Sequence, residues 1–215
     1  MPHPAIAALR SLVDSRFPPT TRKPVGDVPT GVAALDAALG GGLPAGRLTE
    51  LVAPPASGGQ LVFAQLLRTT RAARQRVALV DAADSFAPEA IPADALRHLV
   101  WVRPRQLDAA LAATDVLVRD GNYAAVVLDL RGVAGRELDR TPKTRWHRLH
   151  RAAATQPGAV LVLSAFPVVP SVPWRLVLSA TPDGCSPRTA REHLVAQFTV
   201  ATTRGHAALV EELAG

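Results

Sequence analysis

Between Ala45 and Leu66 the chain reads AGRLTELVAPPASGGQLVFAQL, and this stretch limits the architecture more than any other. Arg47 to Val52 has the composition of a strand. Leu61, Val62, Ala64, Leu66 and Leu67 follow as the apolar side of a helix, and Ala53-Pro-Pro-Ala-Ser-Gly-Gly-Gln60 lies between them as a turn of small residues. Strand, glycine turn and helix form the frame of a phosphate loop, in which backbone N–H groups and a helix N-terminus surround phosphates. A lysine then reaches the outer phosphates and a Ser/Thr hydroxyl holds Mg²⁺. The pattern G-x-x-x-x-G-K-[ST] falls here on Ala53, Gly58, Gly59 and Gln60. The frame is present without its lysine or its hydroxyl. The same spacing also serves an ordinary βα connection, so the flanking sequence has to decide.

A chain of 215 residues, 48% of them apolar, suits one α/β domain with a substantial core. The longest apolar runs, Ala124 to Leu128 and Ala159 to Leu163, are far shorter than the roughly 20 residues a membrane helix needs. Met1 to Arg10 lacks the sustained apolar stretch of a signal peptide, and the single cysteine, Cys185, excludes an internal disulfide. The expected location is cytoplasmic, with no membrane contact. The net charge is +6, and seven basic residues against two acidic ones between Arg131 and Arg151 carry most of it. A clustered basic stretch suits a polyanion or an acidic partner surface, or a solvated helix face.

In chain order, Ile6, Leu9, Leu12 and Val13 have helical spacing in Pro4 to Arg16, and Phe17 to Pro24 reads as a linker. Residues 1–24 are thus a candidate self-association or docking element, 25–200 the domain, and 201–215 a C-terminal tail. A helix begins near Thr30 and ends in the glycine turn Gly40 to Gly46. Further strands are expected at Val77–Val80, Leu99–Val102, Ala124–Leu128, Val160–Ser164, Arg175–Leu178 and Leu194–Thr199, with helices near Ala93 and over Gln106–Asp120. Strands that alternate with helices and are nearly continuous in apolar residues predict a mainly parallel, twisted sheet with helices on both faces.

The order and wording of these segments resemble the RecA core over roughly Val28 to Ser164. Pro29-Thr30-Gly31, Leu35-Asp36, Ala38-Leu39-Gly40 and Gly42 to Arg47 look like the stretch before the RecA phosphate loop, and Val127-Leu-Asp129 looks like its Walker B strand. Departures from that pattern fall at the chemistry. Gly59 and Gln60 replace the loop lysine and hydroxyl, and Ala83 stands at the position of the catalytic glutamate. Phosphoryl transfer depends on charge neutralisation and an oriented water, so no ATPase activity and no cofactor are expected. Asp129 reads as a structural acid capping the sheet edge. Ala165 to Val172 is too short for the long DNA-binding loop of RecA.

Together with Arg145-Trp-His-Arg-Leu-His-Arg-Ala152, Gly158 to Leu163 and Val172-Pro-Trp-Arg-Leu-Val-Leu178, the degenerate loop is similar to ImuA, a RecA-like family of bacterial mutagenesis cassettes. That resemblance implies an accessory role in DNA damage tolerance. It would assist translesion synthesis beside an ImuB-like Y-family polymerase homologue, an error-prone C-family polymerase and RecA. Two alternatives stay open: a nucleotide-sensing pseudo-ATPase that uses Ser57, Gly58 and the helix start, and a SulA-like inhibitor of cell division.

Arg145, Arg148 and Arg151 recur at i, i+3 and i+6, a row that can track phosphates, meet an acidic partner or face water. Arg136, Arg140 and Lys143 extend it. Trp174 beside Arg175 can stack on a base or pack at the sheet edge. Trp146 reads as core. His147 and His150 have metal-compatible spacing without a companion ligand, and Ser57 and Ser164 lack a His/Asp arrangement for nucleophilic catalysis.

Overall fold

The computed structural model describes residues 26–179 and 191–204. Seven strands form one sheet: β1 (Leu48–Val52), β2 (Val77–Asp81), β3 (Leu99–Val102), β4 (Ala125–Asp129), β5 (Ala159–Ser164), β6 (Trp174–Leu178) and β7 (Val200–Arg204), in the order β3-β2-β4-β5-β1-β6-β7. All pairings are parallel except β6 with β7. Around the sheet lie α1 (Ala33–Leu39), α2 (Gly59–Ala72), α3 (Ala93–Leu96), α4 (Leu107–Asp120), α5 (Gly135–Asp139), α6 (Lys143–Ala154) and α7 (Arg191–Ala196).

Alternation along the strands divides the core in two. Leu79, Val127, Leu161 and Leu163 point to one face with α1 and the Val62, Phe63, Leu66 and Leu67 side of α2. Val80, Val126, Leu128 and Val162 point to the other, where Leu111 and Val118 of α4 meet Trp146, Leu149 and Ala153 of α6. Both faces being covered explains why β1, β2, β4 and β5 are buried at every position. Trp146, expected in the core, is 2% exposed. Backbone bonds from Ala53 to Ser164, from Ala82 to Asp129 and from Leu130 to Leu163 bind together the C-terminal ends of the central strands. In open parallel sheets that end carries the site.

The C-terminal part differs from the sequence expectation. Leu194 to Thr199 is not a strand: α7 runs to Ala196, and Val195 and Phe198, both buried, have helical rather than alternating spacing. The strand comes next, so residues 201–204, assigned above to a tail, are paired in the sheet against β6. With β1 on one side and β7 on the other, β6 is interior and Trp174 is not an edge residue. Asp129 ends the central strand β4, between β2 and β5, at the C-terminal edge of the sheet. Thr30 lies before α1 instead of starting it, and its hydroxyl donates to Asp36 Oδ1 at 2.6 Å while accepting from the Val32 N–H. The expected N-terminal helix with Ile6, Leu9, Leu12 and Val13, its linker, Cys185 and the last eleven residues lie outside the described residues.

Candidate functional site: a phosphate-loop frame with an internal ion pair

The loop after β1 opens at the C-terminal edge of the sheet and borders a cavity of about 510 Å³, lined by Ala53 to Ala56, Gly58 to Leu61, Ser85, Ala87, Arg131, Gly132 and Ala165. Gly58 is the N-cap of α2, with φ 90°, a conformation that glycine adopts without the clash a side chain would bring. Ser57 is 3% exposed, and its N–H is already spent on the Pro54 carbonyl at 3.0 Å.

Asp129, 2% exposed, ends β4 beneath this loop. Its Oδ1 accepts from the Arg131 N–H at 3.1 Å and from Arg131 Nε at 2.9 Å, while Oδ2 accepts from Nη2 at 2.5 Å. The same Nη2 donates to Gln60 Oε1 at 3.4 Å. A charge-assisted, two-pronged pair of this kind is what a buried carboxylate requires. Asp81 on the neighbouring strand is fully buried and accepts from the N–H groups of Ser85 and Phe86 and from Trp101 Nε1. Ala83 faces Gly132 so closely that a Cβ there would come within 2.6 Å of the Ala83 Cβ. The residues proposed as a degenerate nucleotide site, Ala53, Ser57, Gly58, Gly59, Gln60 and Asp129, thus do converge. Arg131 joins them. Local sequence marked it only as one basic residue of a cluster.

The candidate binding arginines divide. Arg148 does not stand free in a row: its Nε and Nη2 donate to Asp115 of α4 at 3.2 and 2.7 Å, and Arg119 reaches the same carboxylate. Burial pushes the Asp115 carboxyl up, but the Arg148 and Arg119 guanidiniums outweigh it and hold the group below the usual carboxylate range. Arg145 is 3.5 Å from Asp108. Arg175 donates from Nε to the fully buried Glu50 at 2.6 Å and from Nη2 to the Val169 carbonyl at 2.6 Å, so it braces the sheet instead of reaching outward. Trp174 is half-buried against the core. Arg136, Arg140, Lys143 and Arg151 remain exposed, and Arg136, Arg140 and Arg145 line an open groove of about 720 Å³ between the starts of α4 and α6. His147 is exposed and His150 half-buried.

Glu50 is the residue that sequence reading missed. One of its oxygens accepts from Ser164 Oγ and from the Val168 and Val169 N–H groups, which holds the short connection before β6 down onto β1. A charged residue inside an otherwise uncharged strand was the available signal.

Fold and loop together define a RecA-like α/β core with the frame of a phosphate loop and an arginine–aspartate pair in it. Residues 27–130 match the model of a family of unknown function, DUF7125. The chain is also homologous to proteins named RecA over half of its length. It is 37% identical over 113 residues to the RecA of Frankia alni, covering 51% of this chain and 32% of that one. For the RecA of Streptomyces coelicolor the figures are 35% over 113 residues, 51% and 30%. For that of Clavibacter michiganensis they are 37% over 114 residues, 50% and 31%. The match therefore spans about a third of the length of these relatives. No helix among the described residues is long and apolar enough to cross a membrane.

Proposed function

We propose that this chain is a non-hydrolysing RecA-like accessory protein of DNA damage tolerance, acting in the cytoplasm beside an ImuB-like Y-family polymerase homologue in translesion synthesis. RecA and an error-prone C-family polymerase are the further partners this reading implies. The observation that carries it is the loop itself. Phosphoryl transfer needs a cation on the outer phosphates, a metal-binding hydroxyl and a positioned base, and Gly59, Gln60 and Ala83 supply none of them while both oxygens of Asp129 are taken by Arg131. Homology to RecA over half the chain agrees with a role in DNA repair.

Contact with DNA, in this reading, falls to the exposed Arg136, Arg140, Lys143 and Arg151. The test has two parts. Phosphate release from ATP, with and without single-stranded DNA, should stay at background. Size-exclusion chromatography with the ImuB-like protein should yield a stable complex; catalytic turnover would refute the proposal, and so would failure to associate. In a salt series by fluorescence anisotropy, each phosphate contact adds roughly 0.7 to the log–log slope for a single strand. Replacing Arg136, Arg140 and Lys143 by Ala should remove about two units of that slope. A nucleotide-sensing role draws support from the cavity beside the loop, and calorimetric titration with a non-hydrolysable ATP analogue separates it, since the accessory reading expects no heat.

A further inference from the structure

A phosphate loop at the end of a RecA-like β1 implies a nucleotide with its Mg²⁺, and the residues present do not fit that pair. Mg²⁺ needs oxygen ligands with open lone pairs and near-octahedral space. Here Asp129 gives both oxygens to Arg131, and Gln60, at the hydroxyl position, accepts from the same guanidinium. Nor does the loop have room for its lysine. A Cβ at Gly59 would sit 2.7 Å from Arg131 Nη1 and 2.9 Å from the Ala53 Cβ. A Cβ at Gly58 would sit 2.6 Å from the ring of Phe198, which packs on the loop from the end of α7. Both glycines, where a phosphate would approach the backbone, are covered by side chains of the chain itself.

We propose that Arg131 is the built-in cation of this site: it takes the place of both the loop lysine and the metal ion, and it excludes them. The inference rests on the non-hydrolysing reading above but concerns the chain's own charge balance, whatever its partners. Asp81 and Asp129 are register partners on adjacent strands, both buried, and Ser85 Oγ reaches one at 3.4 Å and the other at 3.5 Å. One arginine against two carboxylates leaves no surplus positive charge for a phosphate. Removing the guanidinium would leave the buried Asp129 carboxylate without its cation, next to Asp81, a situation that a divalent cation relieves.

The test compares thermal unfolding of the full chain, with and without millimolar Mg²⁺, Mn²⁺ or Mg·ATP, for the wild type, Arg131→Met, Asp129→Asn/Arg131→Met, Gly59→Lys/Gln60→Thr, and the last pair combined with Arg131→Ser and Ala53→Gly. The wild type should ignore the metal. Arg131→Met should melt lower and regain several degrees with Mn²⁺. Adding Asp129→Asn should recover stability and abolish the metal response, which keeps the test decisive if the single variant fails to fold. Gly59→Lys/Gln60→Thr should show no thermal shift with Mg·ATP while Arg131 is present, and should show one with Arg131→Ser once Ala53→Gly also clears the Cβ that would lie 2.9 Å away. Nucleotide binding by the Lys/Thr pair with Arg131 in place would overturn the proposal, as would an Arg131→Met variant that melts like the wild type without metal. Wild-type ATP turnover, by contrast, would refute the functional reading, so the two failures are distinguishable.

Discussion

Replacing Arg175 by Ala should be among the most damaging single changes outside the apolar core. The guanidinium is the only cationic partner found for Glu50 among the described residues, and the Glu50 side chain is fully buried. Removing one member of a buried pair costs roughly 3–5 kcal/mol, because the remaining charge is stranded in a low dielectric. Two features put Arg175→Ala at the lower end. Arg175 is itself a quarter exposed, and Glu50 keeps three other donors, from Ser164, Val168 and Val169. About 3 kcal/mol is the expectation, a large share of the roughly 5–15 kcal/mol that stabilises a typical domain. At about 2–4 °C per kcal/mol for a chain of this size, Tm should fall by roughly 6–12 °C. Urea unfolding should show a lower midpoint at unchanged slope, and limited proteolysis should begin within residues 165–173. The decisive comparison is Glu50→Gln/Arg175→Ala, which removes the stranded charge and should be more stable than Arg175→Ala alone. Equal stability of the two, or a loss below about 1 kcal/mol for Arg175→Ala, would refute the argument.

Arg148→Ala should lower Tm only slightly, since the arginine is mostly exposed and Asp115 keeps Arg119, and it should leave the salt slope of DNA binding unchanged; a drop in that slope would return Arg148 to the binding surface. Gly42→Ala should cost on the order of 3 kcal/mol by urea unfolding, because φ is 153° and its Cβ would lie 2.5 Å from the Val28 carbonyl carbon and oxygen; a neutral result would mean the 28–43 turn relaxes. Acidification should destabilise the fold. Burial, followed by the nearby charge of Arg71 for His98 and of His147 for His150, holds both imidazoles below their ordinary 6.5. The unfolded chain then binds more protons, and stability present above about pH 6.5 is lost as pH falls through that value towards the depressed folded pKa values. Tm measured across this range should flatten in His98→Gln/His150→Gln, and an unchanged slope would show that other groups control it.

Much of this molecule follows from local sequence. Continuous apolar runs such as Val77–Val80 and Ala124–Leu128 can be satisfied only by strands covered on both faces, so the parallel sheet and its flanking helices were legible without coordinates. So was the absence of a lysine and a hydroxyl from the loop, because Gly59 and Gln60 stand at their positions. The apolar segment at 194–199 was misread because a short run satisfies helical and alternating patterns equally well, and packing of Val195 and Phe198 decided between them.

Charge pairing was not legible. Whether an arginine is free for a partner depends on which acid the fold brings to it. Arg148 meets Asp115 across 33 residues, Arg131 reaches Gln60 across 71, and Arg175 meets Glu50 across 125. Periodicity within one helix or strand reports only which face a side chain leaves from. The order β3-β2-β4-β5-β1-β6-β7 sets what it meets there. The sequence by itself therefore determined the fold class and the absence of the loop's chemical groups. Only the tertiary structure decided that Arg131 pairs with Asp129 beside the loop and that Arg148 and Arg175 pair with Asp115 and Glu50, because ion pairs form between groups close in space and the energy of each depends on how far burial removes it from water.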